Sequence, residues 1–443
     1  MISSLIARIL PKKRIRQPRI YHAAQHTIRA GQIDPAALSV IRRLHSSGFQ
    51  AFVVGGAVRD LLLERRPKDF DIATNATPEQ IKPLFRRAFI IGRRFKLVHV
   101  HVGRDVIEVS TFRTVQTDEN ATDEHGRLLS DNVYGTQSED AMRRDFTVNA
   151  LYFDPLSEEI WDYVGGVNDI RARRLKLIGS PVTRYREDPV RMLRAVRLAG
   201  KLDLTIAPSS EKPLRKLAGL MAHIPPTRLF EETQKLLLSG NAEKNITEVR
   251  HYHLLPGLDA LLLDENAEHF AALALKHTDD RINIGKTVSP AYLFGALLWP
   301  MVTRERDVLL AAGGKPLPAL LEAIDTVFER YAHKLAMPRR FQTMIRDIWV
   351  SQPRFEQRSG QRPYRLFGQP KFRAAYDFML MRGENGEVPE ELCRWWTLFQ
   401  DADEEGRQLL IHQLAKTTDD KRSRHRRRRK TAAKLAANGA ESS

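Results

Sequence analysis

Strand-forming segments are confined to the first part of this 443-residue chain, and this distribution limits the fold more than any other feature. Between residues 36 and 167, short apolar segments alternate with glycine-containing turns and helical segments, which predicts a small mixed α/β head. From about residue 168 the strand pattern fades, and helical periodicity dominates to about residue 410. We therefore expect an α+β protein with a mixed-sheet head followed by an all-helical neck and body.

Positive charge is concentrated at the two ends of the chain. Of the net charge of +17, residues 1–30 carry +7 and residues 421–443 carry +8, so the region between them is nearly neutral. This predicts a basic N-terminal arm over 1–35 and a disordered basic tail over 416–443, because runs such as KRSRHRRRRK repel themselves. Such charge favours a nucleic-acid partner, with anionic lipid or a solubility tail as alternatives.

Two negative features bear on location. No apolar run reaches the roughly 18 residues that a membrane span requires. The only cysteine, Cys393, permits no internal disulfide and is expected to be a packed core residue. Both features favour a reducing cytoplasm as the location of the protein.

The segment PKDFDIATNATPEQ (67–80) places two aspartates one residue apart. In a strand, Asp69 and Asp71 would project from the same face and repel each other unless a cation lay between them. Thr77 and Gln80 form a capping-box signal, so we expect the strand to end just after Asp71. The segment therefore predicts a metal site, with a polar turn after an edge strand as the alternative.

A glycine pair precedes this segment. Gly55 and Gly56 follow a short apolar strand, and a helix is expected from about Val58. Such a turn lets the backbone approach a ligand and leaves N–H groups free for an anion, to which Arg59 would add charge. A simple change of chain direction is the alternative.

A third acid lies on a neighbouring apolar segment. Glu108 is surrounded by valine and isoleucine in the strand predicted over 105–112. If that strand lies beside the one carrying Asp69 and Asp71, three carboxylates converge, a set that suits two Mg²⁺ ions. Alternatively, Glu108 faces solvent from an edge strand.

Two further segments carry arginines beside acids. RRDFTVNALYFD begins with Arg143, Arg144 and Asp145 at the expected start of a strand, with Asn149 four positions after the acid. Arginines near a metal site can hold a triphosphate as bidentate donors.

The second segment, YREDPVRMLRAVRLAG, places Asp188, Arg191 and Arg194 within two turns of a helix. Asp188 and Arg191 could present one planar donor–acceptor edge that reads a base without a template. A surface ladder of salt bridges is the alternative.

Four segments together resemble the class II nucleotidyltransferases, which comprise bacterial CCA-adding enzymes and poly(A) polymerases and have a head of the DNA-polymerase-β type. They occur in order between about residues 50 and 200: VGGAVRDLLLERRPKDFDIAT, RRDFTVNALYFD, DYVGGVNDI and YREDPVRMLRAVR. The resemblance implies that Asp69 and Asp71 bind metal, with Glu108 as a third acid. It implies that triphosphate is held by Gly55, Gly56 and Arg59, and that sugar and phosphates are contacted by Arg143, Arg144, Asp145 and Asn149, of which Asp145 is also an active-site acid. It further implies that the base is selected by Asp188, Arg191 and Arg194.

Within that family, IIGRRFKLVHV (90–100) resembles the stretch typical of bacterial poly(A) polymerases, and the basic tail is similar to theirs. PPTRLFEETQKLL and PKFRAAYDFMLMR extend a weaker resemblance into the body. The resemblance implies template-independent addition of AMP from ATP to RNA 3′ ends with two Mg²⁺ ions, or Mn²⁺ instead. A CCA-adding enzyme is the nearest alternative, and a catalytically silent RNA-binding adaptor is the next.

The same interpretation assigns the regions and partners. We expect a base-selecting neck over 168–250 and an RNA-binding body over 251–415. We also expect a monomer that contacts RNA 3′ ends, ATP and RNA-decay proteins.

Overall fold

The computed structural model describes residues 17–92, 96–114, 133–255, 265–332, 335 and 337–414. The chain divides into two compact units. The first comprises the chain up to Ile224 together with His251–Leu254, and the second comprises Pro225–Arg250 and the chain from Leu255 onward. The predicted basic tail and residues 1–16 of the predicted arm lie outside the described residues.

The described part of the first unit contains an eight-stranded mixed sheet, as predicted for the head. In chain order the strands are β1 (Arg19–Tyr21), β2 (Ala51–Val54), β3 (Asp71–Thr74), β4 (Ala88–Ile91), β5 (Leu97–Val102), β6 (Asp105–Thr111), β7 (Leu151–Asp154) and β8 (Glu159–Asp162). Their order across the sheet is β1-β8-β7-β2-β3-β6-β5-β4. β3 and β6 pair in parallel, whereas the other neighbouring pairs are antiparallel.

Helices pack around this sheet and continue the unit beyond it. They are α1 (Pro35–Ser46), α2 (Gly56–Leu62), α3 (Pro78–Ile81), α4 (Gln137–Arg143), α5 (Gly166–Arg171), α6 (Pro181–Glu187), α7 (Val190–Leu202), α8 (Pro208–Glu211) and α9 (Leu214–Leu217). Two short strands, β9 (Arg174–Leu175) and β10 (Thr205–Ile206), pair in parallel apart from the main sheet.

The centre of the sheet forms where the sequence is most apolar. All four residues of β2 are buried, and Phe52 on this strand contacts the rings of Phe112, Tyr152 and Trp161. Burying each such aromatic side chain removes about 150–250 Å² from water. This core fixes β2 between β3 and β7, and therefore fixes the ends of those strands.

The described part of the predicted N-terminal arm is folded into this unit. β1 pairs with β8, and Tyr21 is 1% exposed. Ile28 and Ile33 are also buried. These apolar side chains determine the structure of residues 17–35, and Arg19 and Arg29 remain at the surface.

The second unit is helical in its described part, as predicted for the body. Its helices are α10 (Pro226–Leu237), α11 (Ala242–His251), α12 (Glu265–Asn283), α13 (Pro290–Ala311), α14 (Pro316–Val327), α15 (Arg339–Ser351), α16 (Arg362–Phe367), α17 (Phe372–Glu384) and α18 (Glu390–Asp401). Trp299 of α13 contacts the rings of Trp349 and Phe378 in its core. Cys393 is partly buried against a second aromatic cluster, and burial raises the pKa of its thiol.

The division at Pro225 falls inside the neck expected over 168–250. The sequence predicted five regions, which divide the chain more finely than the two compact units do, and these five regions stay a prediction. Among the described helices, none is long and apolar enough to cross a lipid bilayer.

Candidate active site

The glycine turn and Asp71 meet at one end of two central strands. β2 is antiparallel to β3, with Val54 opposite Asp71, so the turn begins one residue beyond this pair. Gly55 has a φ of +69°, which favours glycine because it has no Cβ. The turn and the following helix are as predicted, but α2 begins at Gly56 instead of near Val58.

The two aspartates do not share a strand face, which corrects the prediction from their spacing. β3 begins at Asp71, and Asp69 lies in the preceding loop. The predicted strand end after Asp71 was therefore wrong. The strand forms from the apolar residues that follow, of which Ile72 and Ala73 are fully buried. The capping box at Thr77 is present, but it starts α3 only after this strand is complete.

Glu108 lies on the strand next to Asp71, as predicted. The parallel pairing of β3 and β6 sets Ile72 opposite Val109, so Glu108 lies beside Asp71 across the strands. Its side chain is 48% exposed, and its Oε2 lies 3.9 Å from Nε2 of His99. Among the described residues, no three acidic, histidine or cysteine side chains are close enough to hold a metal ion without other ligands.

The electrostatics of Asp71 fit a cation-binding position. Partial desolvation, the largest cause, raises its pKa to about 6; Glu108 and Asp69 also raise it, and Arg144 opposes them. Solvent still reaches Asp71, so its carboxylate is crowded by protein while open on one side. Mg²⁺ usually takes one or two carboxylates together with water and substrate phosphates, so a site without a three-ligand cage among the described residues is compatible with it.

Four predicted site residues form one hydrogen-bonded chain. Arg59 donates from Nη1 to Oδ1 of Asn149 at 2.6 Å, and Asn149 donates from Nδ2 to Oδ1 of Asp145 at 3.2 Å. Arg194 donates from Nη2 to Oδ2 of Asp145 at 2.6 Å. Burial alone would raise the pKa of Asp145, but Arg194, with smaller contributions from Asn149 and the backbone N–H of Phe146, outweighs burial and the pKa is lowered. The chain links the glycine-turn helix to α7.

Arg59 is engaged within the protein. It is 6% exposed, and its Nε and Nη2 both donate to Oδ1 of Asp60, at 2.8 and 2.6 Å. With Nη1 directed to Asn149, its guanidinium orients that amide. Because Nε, Nη1 and Nη2 of Arg59 all donate to protein acceptors, the arrangement does not favour the predicted direct contact of Arg59 with a phosphate.

A buried carboxylate organises the two consecutive arginines. Asp140 is 1% exposed; its Oδ1 accepts from Nε of Arg143 at 2.9 Å, and its Oδ2 accepts from Nη2 of Arg144 at 3.0 Å. The hydroxyl of Tyr152 donates to Oδ2 at 2.7 Å. Our sequence reasoning missed Asp140, although its i,i+3 and i,i+4 spacing to the arginines was a usable signal.

Arg144 lies nearest to the glycine turn. A Cβ on Gly55 would lie 3.3 Å from its Nη1. Burial alone would lower the pKa of Arg144, but Tyr152 and Asp140 outweigh burial and raise it. Arg144 is therefore a fixed positive charge beside the turn, and it lowers the pKa of Asp71.

The prediction that a strand starts at Arg143 was wrong. α4 ends at Arg143, and Thr147–Asn149 form a turn of 3₁₀-helix before β7 begins at Leu151. In an extended strand, successive side chains of this segment would point to opposite faces of the sheet, and the bend removes this alternation.

The DYVGG segment (162–166) packs against this bend. Asp162 accepts hydrogen bonds from four successive backbone N–H groups, ending at Gly166 and Val167. A Cβ on Gly166 would lie 2.2 Å from the carbonyl oxygen of Thr147, so only glycine allows this contact. Gly166 therefore serves close packing, whereas Gly165 supplies a positive φ of +88°.

The predicted base-reading residues are divided between two helices. Asp188 follows the last residue of α6, whereas Arg191 and Arg194 lie on α7. Arg191 donates from Nη1 to Oε2 of Glu187 at 3.0 Å and to the carbonyl oxygen of Arg184 at 2.7 Å. Arg191 therefore pairs with Glu187, and the donor–acceptor edge expected from Asp188 and Arg191 stays a prediction.

Arg184 connects this region to the paired arginines. Its Nη2 donates to the carbonyl oxygens of Arg143 and Arg144, at 2.6 and 2.7 Å. Its Nη1 donates to Oε2 of Glu187 at 2.6 Å. Nothing in the spacing of Arg184 indicated this role, because the contact joins segments 40 residues apart.

Three family models match the chain. "Poly A polymerase head domain" matches residues 51–176, "Probable RNA and SrmB- binding site of polymerase A" matches 203–261, and "Polymerase A arginine-rich C-terminus" matches 312–431. The first of these covers strands β2 to β8 of the sheet and every acidic candidate described above except Asp188. The third extends into the basic tail.

Two curated poly(A) polymerases are similar to this protein over nearly the whole chain, and a CCA-adding enzyme is similar over about half of it. It is 43% identical to "Poly(A) polymerase I" of Haemophilus influenzae over 93% of this chain and 95% of that protein. It is 42% identical to "Poly(A) polymerase I" of Salmonella typhi over 91% and 90%. The "CCA-adding enzyme" of Bacillus pumilus is 37% identical over only 53% of this chain and 58% of that protein.

Solved structures support the same fold. A CCA-adding enzyme without ligand, 17% identical, covers 87% of this chain and 97% of its own, with a TM-score of 0.52. This similarity concerns the fold alone. The near full-length identities show that the chain belongs to the poly(A) polymerase I family of nucleotidyltransferases, to which the CCA-adding enzymes are homologous.

Proposed function

We propose that this protein is a template-independent poly(A) polymerase that transfers AMP from ATP to RNA 3′ ends and releases pyrophosphate. One observation carries the proposal: identity of 42–43% to poly(A) polymerase I extends over more than nine-tenths of the chain. The match to the CCA-adding enzyme of Bacillus pumilus ends at about half of it. The sequence beyond the head is therefore of the poly(A) polymerase kind.

Asp69 and Asp71 are the residues that would hold divalent cations, with Glu108 on the adjacent strand as a third acid. Mg²⁺ is the ion that this oxygen-ligand set suits best, and Mn²⁺ would fit the same ligands. When bound, the ions would activate the RNA 3′-hydroxyl and neutralise the departing pyrophosphate. Desolvation and repulsion already destabilise the ionised form of Asp71, so a cation there relieves an unfavourable interaction.

The triphosphate would lie against the Gly55–Gly56 turn and Arg144. The positive φ of Gly55 and its missing side chain leave room for close approach, and Arg144 supplies a fixed guanidinium. Arg143 would add a second charge from the end of α4. Arg59 would act as a positioning residue that holds Asn149 and, through it, Asp145.

Base selection is assigned to Asp188 and Arg191. Glu187 orients the guanidinium of Arg191, and Arg184 fixes Glu187 in turn. Arg194 is bound to Asp145, so it would act on the sugar-contacting group and not on the base. A purine edge would meet the donors and acceptors of Asp188 and Arg191 without a template strand.

Primer extension with each nucleotide tests this function. We expect an unstructured RNA primer with ATP to give a long ladder of products and CTP to be a poor substrate. A tRNA that lacks its last three nucleotides should receive adenosines only. The Asp71→Asn variant is the inactive control.

Addition of C, C and A followed by a halt would instead establish the CCA-adding activity of the homologous enzymes. RNA binding without any nucleotide transfer would establish the silent adaptor. We further propose that the enzyme works as a cytoplasmic monomer together with RNA-decay proteins, which sedimentation and affinity purification with and without RNase would test.

A further inference from the structure

A cavity of about 610 Å³ lies within the second unit, among α12, α13, α15 and α17. Its volume is within the range of small-molecule sites, roughly 300–1,000 Å³. It lies outside residues 203–261, which match the RNA-binding family model. Seven of its lining residues belong to PKFRAAYDFMLMR (370–382), a body segment to which the catalytic proposal gives no role.

The floor of the cavity is apolar. Ile348 and Met381 are buried, and Met344 and Leu380 are partly buried beside them. Methionine side chains adapt to irregular shapes and make favourable contacts with aromatic rings. The floor can therefore accept the face of a flat ring.

Tyr292 adds a polar group above this floor. Its ring meets that of Phe378 edge-on at 6.0 Å, and its hydroxyl has no hydrogen-bond partner among the described residues. Burial raises its pKa well above the ordinary value, and Asp377 and Glu384 raise it further against the effect of Arg281. The phenol stays neutral, so it can donate to a ligand and accept from one.

Charged groups of both signs surround the opening. His277 and Glu384 are paired at 2.9 Å, and Arg373 and Asp377 are paired at 3.0 Å. The two carboxylates retain accepting capacity beyond these contacts, because each oxygen has two lone pairs. Such walls suit a neutral group with hydrogen-bond donors better than they suit a bare anion.

Two cations stand at the rim. Arg281 and Lys371 are exposed, and within the described parts of the chain neither has an ion-pair partner. Asp280 lies next to Arg281 in the sequence and also lines the cavity. The rim can therefore hold a phosphate that is attached to the group inside.

We propose that this cavity binds an adenine nucleotide, an inference that rests on the proposed function because that function supplies adenosine-rich RNA. The apolar floor would contact the ring, and Asp377 or Glu384 would accept from its amino group. Arg281 and Lys371 would contact the phosphates. A uridine nucleotide lacks the amino group and would leave the carboxylates facing carbonyl oxygens, which costs binding energy. The nucleotide is either a residue of the RNA tail or free AMP.

Photocrosslinking tests the site directly. An oligoadenylate of about 15 nucleotides that carries 8-azidoadenosine spans the length that single-strand grooves usually cover. We expect crosslinked peptides from α12, α13 or α17, identified by mass spectrometry, and protection by excess unlabelled oligoadenylate. Protection by AMP at equal nucleotide concentration would identify a free nucleotide as the ligand, and protection by oligoadenylate alone would identify the tail.

Two variants and one matched control measure the contribution of the cavity. Tyr292→Phe removes one hydroxyl and should weaken oligoadenylate binding about threefold to tenfold while leaving oligouridylate binding unchanged. Ala374→Phe places a ring inside the cavity and should weaken it about tenfold or more. Tyr331→Phe makes the same chemical change elsewhere in this unit and should have no effect on binding.

The outcomes separate this inference from the proposed function. AMP transfer to a short primer should be unchanged in all three variants, because none of the residues belongs to the candidate active site. Equal oligoadenylate binding by Tyr292→Phe and Tyr331→Phe, or crosslinks confined to other segments, would overturn the inference while transfer persists. Loss of transfer in the parent protein would bear on the proposed function alone.

Discussion

Replacing Asp140 by asparagine should destabilise the head and weaken ATP binding, although Asp140 is not expected to touch a substrate. The carboxylate accepts hydrogen bonds from Arg143, Arg144 and Tyr152, and Oδ1 also accepts from the backbone N–H of Arg113 at 3.2 Å. The amide keeps the shape, loses the charge and directs an N–H₂ group toward donors. The arginines are then left without their anion.

The magnitude follows from burial. Removing one partner of a buried ion pair costs about 3–5 kcal/mol. The side chains of Arg143 and Arg144 are 24% and 20% exposed, so water partly rehydrates them and we expect about 3 kcal/mol, the low end. Tyr152→Phe removes one hydrogen bond only and should cost about 1 kcal/mol.

The pH dependence provides an independent check. Burial alone would raise the pKa of Asp140, but Arg144 and Arg143 outweigh it, so the pKa lies below the ordinary value of 3.8. A lowered folded-state pKa gives stability that is fully present above the unfolded-state pKa. The stability difference between parent and Asp140→Asn should therefore be constant above about pH 5 and shrink as the pH falls through the folded-state pKa.

Hydrogen exchange of peptides from α4 and β7 measures opening of this region without averaging over the second unit. Steady-state kinetics should show a KM for ATP about tenfold higher, which corresponds to about 1.4 kcal/mol of lost ATP binding. Asp154→Asn is the matched control, because Asp154 accepts one hydrogen bond, from the N–H of Leu156. If both variants shift the opening free energy equally and KM is unchanged, Asp140 does not organise the arginines.

Three further predictions concern catalysis, base choice and the tail. Asp69→Asn or Asp71→Asn should abolish AMP transfer while leaving RNA binding largely intact, and a primer-extension rate within about tenfold of the parent would remove the two-metal mechanism. Arg191→Ala should relax the preference for ATP over CTP about tenfold, as competition assays can measure, whereas Arg186→Ala should not; an unchanged preference would place base reading elsewhere. Ending the chain at Asp420 should weaken RNA binding and reduce the salt slope by up to ~0.7 for each lost phosphate contact, so an unchanged slope would exclude the tail from RNA binding.

Local pattern was enough to predict the class of fold and several of its turns. The capping box at Thr77, the turn at Gly55 and the hairpin that joins β5 and β6 each depend on residues within a few positions of one another. Signals of this range are set by backbone conformation and periodicity, which a single sequence displays directly.

Strand boundaries at the site were predicted less well. The spacing of Asp69 and Asp71 favoured one strand for both, yet the strand begins at the second aspartate because the buried residues come after it. The start of β7 was also placed too early, since Arg143–Asn149 are drawn into a bend by Asp162 and Gly166. Tertiary packing decided both cases.

The sequence by itself determined which residues are available for the chemistry: the acids, the arginines and the glycine pair occur in short segments between residues 55 and 194. The tertiary structure alone decided their partners. It brought Arg194 into contact with Asp145, 49 residues away, and Arg184 into contact with the carbonyl oxygen of Arg143, 41 residues away. It also paired Arg191 with Glu187. Hydrogen bonds and ion pairs act over a few ångströms, so the partner of a charged side chain is fixed by which strands and helices meet, and that information lies in the whole fold.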